Sequence, residues 1–300
     1  MEGRSISDLN GAAALARARR FGLAAALLFV VSLAMFWPGI ALFDSLSQYR
    51  QALTGEYNDW HPPAMARLWS LFVAIGWRGQ GPMFAVQLVL WWAGLGLTAA
   101  ALARTRATRA AMAVLAIGLW PPLLGWQVAV LKDGQMAGAL VAAFGLVAWY
   151  RLQARSIPLL ALAAILVLLA YATLVRSNAV FASLPLAVAL FPAWRWERWP
   201  SRLLLAGAGS LAVLTLAPIL NQGLFAARST GVEAAQPLFD MAGIVDRAGP
   251  DAVPLVPAGQ WRAAQAQRCI TPILWDAFAS DRRCGFVQAG LHGQPRAQLF

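Results

Sequence analysis

Seven uncharged apolar stretches, 21–43, 82–103, 110–131, 134–150, 157–175, 179–194 and 203–220, constrain this chain more than any other feature. A helix needs ~20 mostly apolar residues to cross a bilayer. It is also the structure that satisfies its own backbone in hydrocarbon. Composition agrees: 60% of the residues are hydrophobic and only 12% charged, against roughly a quarter charged in a globular domain. That excludes disorder, collagen and coiled coil, and two cysteines in 300 residues exclude a disulfide-stapled miniprotein. The expected class is an all-α polytopic membrane protein with about seven transmembrane helices. The first stretch is too long for a signal-peptide core and no small-residue cleavage site follows it, so it reads as a retained anchor.

An eighth apolar stretch, 63–77, decides the topology. It opens at His61-Pro62-Pro63, runs 15 residues and carries Arg67. Met65, Leu68, Trp69, Phe72 and Ile75 recur at helical spacing, which suits a helix lying on the membrane surface. With 63–77 on the surface, Arg4, Arg17, Arg19 and Arg20, then Arg104, Arg106 and Arg109, then Arg151 and Arg155, then Arg195, Arg198 and Arg202 all fall on the cytoplasmic side. The short outer turns hold one cation each, Lys132 and Arg176. If 63–77 spans, the last eight arginines move outside, against the positive-inside rule. The expected topology is therefore a bacterial inner-membrane protein with a cytoplasmic N-terminus and a periplasmic C-terminus. Its domains are a transmembrane domain, 1–220, with an outer loop at 44–81 bearing interfacial helices, and a periplasmic segment, 221–300. Half of the 24 basic residues are then topology signals, and the net charge of +11 needs no nucleic-acid partner.

The unusual polar residues lie on the outer side. Asp44 follows the first span, at the head of a 43–53 helix striped by Phe43, Leu46, Tyr49 and Leu53. It reads equally as a helix N-cap. Tyr57, Trp60 and His61 sit in the loop before the surface helix; a lone histidine is more often structural than a ligand, and no histidine pair has metal spacing. Lys132, the single lysine, and Asp133 sit between the third and fourth spans, and Arg176 and Asn178 form the next outer turn. The plain alternatives are a snorkelling lysine and a capping aspartate. One carboxylate and two cations on one rim suit a reaction on a lipid-linked phosphate. The cations face the phosphate and the carboxylate takes a proton from an incoming hydroxyl. Cys269 and Cys284, both expected outside, suit a disulfide. No Asp-x-Asp and no phosphate-cradling Gly-x-x-x-x-Gly-Lys occurs.

Asp44 after the first span, His61-Pro62-Pro63 before the surface helix and Asp133 at the start of the fourth span resemble, in order and topology, the GT-C class of membrane glycosyltransferases. Within that class the pattern is similar to the protein O-mannosyltransferases and the lipid A aminoarabinose transferases. Lys132-Asp133 and Arg176-Ser177-Asn178 are also similar to a group of bacterial GT-C-like membrane proteins. The resemblance covers about 20–220. It implies a polyprenyl-phosphate sugar donor and inverting transfer to an acceptor hydroxyl on the periplasmic face. Asp44 would be the base, Lys132 and Arg176 would sit at the leaving phosphate, Asp133 would orient Lys132 or bind a sugar hydroxyl, and Tyr57 and Trp60 would stack on sugar. The family's acidic pair is Asp44-Ser45 here, so no cofactor is firmly implied, although a divalent cation is compatible. The family usually carries further spans after the seventh, whereas this chain ends at Phe300 in a polar segment, as a truncated or shorter form would. The residues leave the sugar, the acceptor (lipid, glycan or protein) and the oligomeric state open. Two other classes fit the composition. A transporter or flippase of a lipid-linked or anionic solute predicts charges at mid-membrane depth, and the spans hold none. A non-catalytic membrane scaffold is the third.

Overall fold

A computed structural model describes residues 6–190, 199–272 and 275–291. It is all-α: among the described residues there is no strand, only two isolated backbone bridges. Two compact units divide the chain. Of the described residues, the first holds those up to Tyr57 and between Pro62 and Phe225; the second holds Asn58–His61 and those from Ala226 onward.

The first unit carries α1 (Ile6–Phe36), α2 (Phe43–Thr54), α3 (Ala64–Ala74), α4 (Gly81–Arg104), α5 (Thr108–Gly118), α6 (Pro121–Val128), α7 (Lys132–Arg151), α8 (Leu159–Val175), α9 (Val180–Leu190) and α10 (Trp199–Ile219). Among the described residues two helices, Gly11–Phe36 and Gly81–Arg104, are long and apolar enough to cross a membrane, and a third span arises if the bent pair α5 and α6 counts as one. That pair replaces the continuous span expected over 110–131. Pro121-Pro122 interrupts the run, because proline is tolerated at a helix start but not inside one, and the axes turn by 50°. At 17 residues α8 is about 26 Å long, short of a ~30 Å hydrocarbon core. The helix α3 has only 11 residues. Residues 191–194 of the sixth expected span, and Arg4, Arg195 and Arg198, lie outside the described residues.

The first helix starts earlier and stops earlier than the apolar run suggests. It ends at Phe36, where Gly39 turns the chain with φ of +87°. A Cβ there would meet the Phe84 ring at 2.9 Å, so only glycine fits.

The seam between α4 and α7 is built from small residues. On α7, Gly134, Gly138, Ala142 and Gly145 recur at three- and four-residue spacing and are buried. Gly94 of α4 crosses so closely that a Cβ would sit inside van der Waals distance of the Val141 carbonyl, and a Cβ on Gly145 would strike Gly94. Backbones that approach this closely gain dispersion contacts without needing a hydrophobic driving force, which suits helices packed in lipid. Buried amides lock the same seam. Gln135 donates to the Met83 carbonyl at 2.9 Å and accepts from the Tyr171 hydroxyl at 3.2 Å. Gln87 donates to the carbonyls of Gln127 and Ala129, both at 2.9 Å.

The short helix α2 is amphipathic in the inverted sense. Its buried face is Ser45, Gln48, Gln51 and Ala52, while Phe43, Leu46 and Leu53 are exposed. Exposed leucines also run along α1 (Leu23, Leu27) and α8 (Leu159, Leu160). Exposed large apolar side chains repeated along several helices are what a helix presents to hydrocarbon.

The second unit carries α11 (Val232–Ala248), α12 (Ala258–Ala266) and α13 (Phe286–Ala289). Leu238, Trp261, Phe278 and Val287 are fully buried in its core, and Trp261 donates its indole N–H to the Val253 carbonyl at 3.2 Å. Residues 58–61 join this unit through backbone and side chain. Asn58 bridges Arg228, and Asp59 Oδ1 accepts both the N–H and the hydroxyl of Thr230 at 2.7 Å. Cys269 and Cys284 are disulfide-bonded, with Cα atoms 6.3 Å apart and a sequence separation of 15. Closing a loop of that size stabilises by about 3 kcal/mol. The double variant Cys269→Ala/Cys284→Ala is expected to lose about that much protection in the second unit, read by hydrogen exchange across 226–291. Exchange unchanged from wild type would mean that the disulfide adds nothing to this core.

Candidate functional site: an ion-pair string at the helix starts

The site begins with backbone. After the Gly39 turn, Ile40 lies parallel to Ala129: the Ile40 N–H donates to the Val128 carbonyl at 3.0 Å, and the Val130 N–H donates to the Ile40 carbonyl at 2.9 Å. This two-bond ladder sets the starts of α2 and α7 side by side. Ser45 closes the arrangement, its hydroxyl donating to the Val130 carbonyl while accepting the Leu42 N–H at 3.1 Å. Gln87 pins the same 127–129 segment from behind, through the two bonds given above.

Two ion pairs follow from that register. Lys132 Nζ meets Asp44 Oδ2 at 2.9 Å. Arg176, at the exit of α8, meets Asp133 Oδ1 through Nη1 at 2.6 Å. Lys132 and Asp133 are consecutive, so the two ion pairs are joined into a string through the backbone of the first turn of α7, in the order Asp44, Lys132, Asp133, Arg176. Asp44 and Asp133 occupy equivalent places. Each is the second residue of its helix, behind a non-polar N-cap, Leu42 or Leu131, so neither is the cap that aspartate often supplies. A carboxylate in a first helical turn is favoured by the helix dipole by ~0.3–1 kcal/mol. The inner members of the string are the more covered: side-chain exposure is 12% for Lys132 and 22% for Asp133, against 37% for both Asp44 and Arg176. The string thus offers solvent a carboxylate at one end and a guanidinium at the other.

The remaining candidates are placed as follows. Asn178 is exposed in the short 3₁₀ turn Ser177–Ala179, two residues beyond Arg176. Tyr57 is buried under the Arg67 guanidinium, 3.7 Å from its ring centroid, and Arg67 also donates to the Phe225 carbonyl, through Nε at 3.1 Å. Tyr57 therefore serves a cation–π contact in the first unit and does not join the ion-pair string. Trp60 packs against the core of the second unit, where His61 is also buried, and the disulfide lies in that same core. Among the described residues no group of three or more His, Cys, Asp or Glu side chains gathers as a metal site. Both carboxylates of the string hold a cation of the protein itself.

Sequence reasoning assigned no structural role to the residues that set the register of the string and the seam behind it: Ile40, Ser45, Gln87, Gln135 and Tyr171. A glutamine inside an apolar span is the readable signal for two of them, because a buried amide must find partners.

No protein-family model, no curated protein and no solved structure matches this chain.

Proposed function

We propose that the chain is a GT-C-like membrane glycosyltransferase with about seven spans, moving a sugar from a polyprenyl-phosphate donor to an acceptor hydroxyl on the periplasmic face. The observation that carries the reading is the string with a part-exposed carboxylate at one end and a part-exposed guanidinium at the other. In the reaction the acceptor oxygen forms a bond to the anomeric carbon as that carbon's bond to the phosphate oxygen breaks. The acceptor's proton passes to Asp44. The electron pair leaves on the lipid phosphate, whose growing charge faces Arg176, backed by Lys132. Asp133 holds Arg176 in position. A guanidinium has five N–H donors, so one carboxylate contact leaves it able to hold a phosphate as well. Fixed cations act most strongly where water is excluded. The inverted amphipathicity of α2 supports placing this rim at the membrane interface, with apolar side chains toward lipid and polar ones toward the protein.

The mutual neutralisation of the four charges favours a second reading, in which the string is structural and the protein is non-catalytic. Donor binding separates the two. Arg176→Ala is expected to weaken binding of a polyprenyl-phosphate sugar by about 1.5–3 kcal/mol, the range for a hydrogen bond to a charged group, measured by titration in detergent. Full donor affinity in this variant would leave the structural reading.

The topology has its own test. A reporter fused after Gln222 is expected to be active in the periplasm and silent in the cytoplasm, with 63–77 on the surface and the N-terminal arginines inside. Cytoplasmic activity would remove both the orientation and the periplasmic site.

A further inference from the structure

A second feature lies at the opposite end of the helices from the ion-pair string. Between α1 and α4 runs a groove of about 680 Å³, walled by Gly22, Ala25 and Phe29 on α1, Trp92 and Gly96 on α4, and Trp149 of α7. Its origin is the missing side chains. Ala25 and Gly96 meet closely, since a Cβ on Gly96 would lie 2.7 Å from the Ala25 methyl, while a Cβ on Gly22 would meet nothing within 4 Å. The lining is apolar except at one end, where Arg19 joins it. Two further guanidinium groups lie at the same end of α1 and α4, outside the groove lining. Arg104 lies 5.9 Å from the ring centroid of Trp149, and Arg17 donates from Nε to the Ala103 carbonyl at 3.2 Å. No carboxylate is among the lining residues.

The geometry points to a binding site for one anionic phospholipid of the leaflet on the side of the N-terminal arginines. From Arg19 to Phe29 is ten residues of helix, about 15 Å, half of a ~30 Å hydrocarbon core and so the depth of one leaflet. An acyl chain lies along Gly22, Ala25 and Phe29, and the phosphate sits among Arg17, Arg19 and Arg104. Trp149 stands at the boundary, where an indole finds both apolar and polar surroundings. The apolar wall would take the chain of any lipid. The three cations supply the choice of an anionic headgroup, as basic pockets between membrane helices do.

The test is native mass spectrometry of the purified full chain in mild detergent, titrated with phosphatidylglycerol and with phosphatidylcholine of the same acyl composition. The wild type is expected to retain phosphatidylglycerol about tenfold more tightly, the ratio that one charge-assisted hydrogen bond confers. Arg19→Gln, which removes the one cation in the groove lining, is expected to cut that preference severalfold while leaving phosphatidylcholine binding unchanged, and Arg19→Lys to keep most of it. Gly22→Phe fills the groove from a position with open space at its Cβ and is expected to abolish retention of both lipids. Its helical content, checked by circular dichroism, should match wild type. Equal retention of the two lipids by the wild type would overturn the proposal, as would undiminished phosphatidylglycerol binding in a folded Gly22→Phe variant.

Discussion

Asp44→Asn is expected to lower sugar transfer by roughly 10²–10⁴-fold, the contribution of a positioned general base, with donor binding largely kept. The substitution keeps the shape and leaves Lys132 Nζ an oxygen to bond at the 2.9 Å position, but removes the negative charge that, in the proposed reaction, takes the acceptor's proton. Loss of folding does not account for a change of that size. Asp44 is 37% exposed, so its ion pair is worth about 0.2–1 kcal/mol, and its place in the first turn of α2 adds ~0.3–1 kcal/mol. Steady-state transfer by the variant, compared with its unfolding midpoint, separates base from scaffold. A variant that transfers at the wild-type rate would assign Asp44 to structure alone.

The second large effect is expected at Gly94. Gly94→Leu should destabilise the first unit by about 3 kcal/mol, the upper part of the range for overpacking. The neighbour that must yield is the Val141 backbone rather than a flexible side chain. The site should suffer with the fold, because α7 carries Lys132 and Asp133 at its start and is held to α4 by that crossing. Gly22→Ala is the control. It sits in α1 with open space at its Cβ, where replacing glycine in a helix gains up to ~1 kcal/mol. Thermal unfolding in detergent should rank Gly22→Ala at or above wild type and Gly94→Leu well below. If Gly94→Leu unfolds with wild-type stability, the close crossing of α4 and α7 is not a real constraint.

Some of this architecture is legible in the residues and some is not, for physical reasons that differ by element. The α2 stripe of Phe43, Leu46 and Leu53 can be read from spacing. Which way it faces cannot, since a periodic pattern is the same whether water or lipid covers it, and the burial of Ser45 and Gln48 supplies the direction. The end of α1 at Phe36 is hidden by an apolar run that continues to Phe43, although Pro38-Gly39 marks the turn. The break between α5 and α6 is likewise signalled by Pro121-Pro122 and masked by the hydrophobic residues around it. Asp44, Lys132 and Arg176 stand out because charges are scarce in such a chain. Their pairing is not visible. It depends on Ile40 meeting Ala129 through backbone alone, a contact between distant segments that leaves no side-chain signature. Asn58–His61 also belong to a distant segment, the second unit, through the backbone bridge to Arg228 and the Asp59 side-chain bonds to Thr230.

The most direct test of the whole account is sugar release from a radiolabelled polyprenyl-phosphate sugar by the purified full chain in proteoliposomes. Transfer of label to an added hydroxyl acceptor, with free polyprenyl phosphate appearing in equal amount, is the predicted result. A donor that stays intact with a range of polyprenyl-phosphate sugars and acceptors, while the protein remains folded, would contradict it.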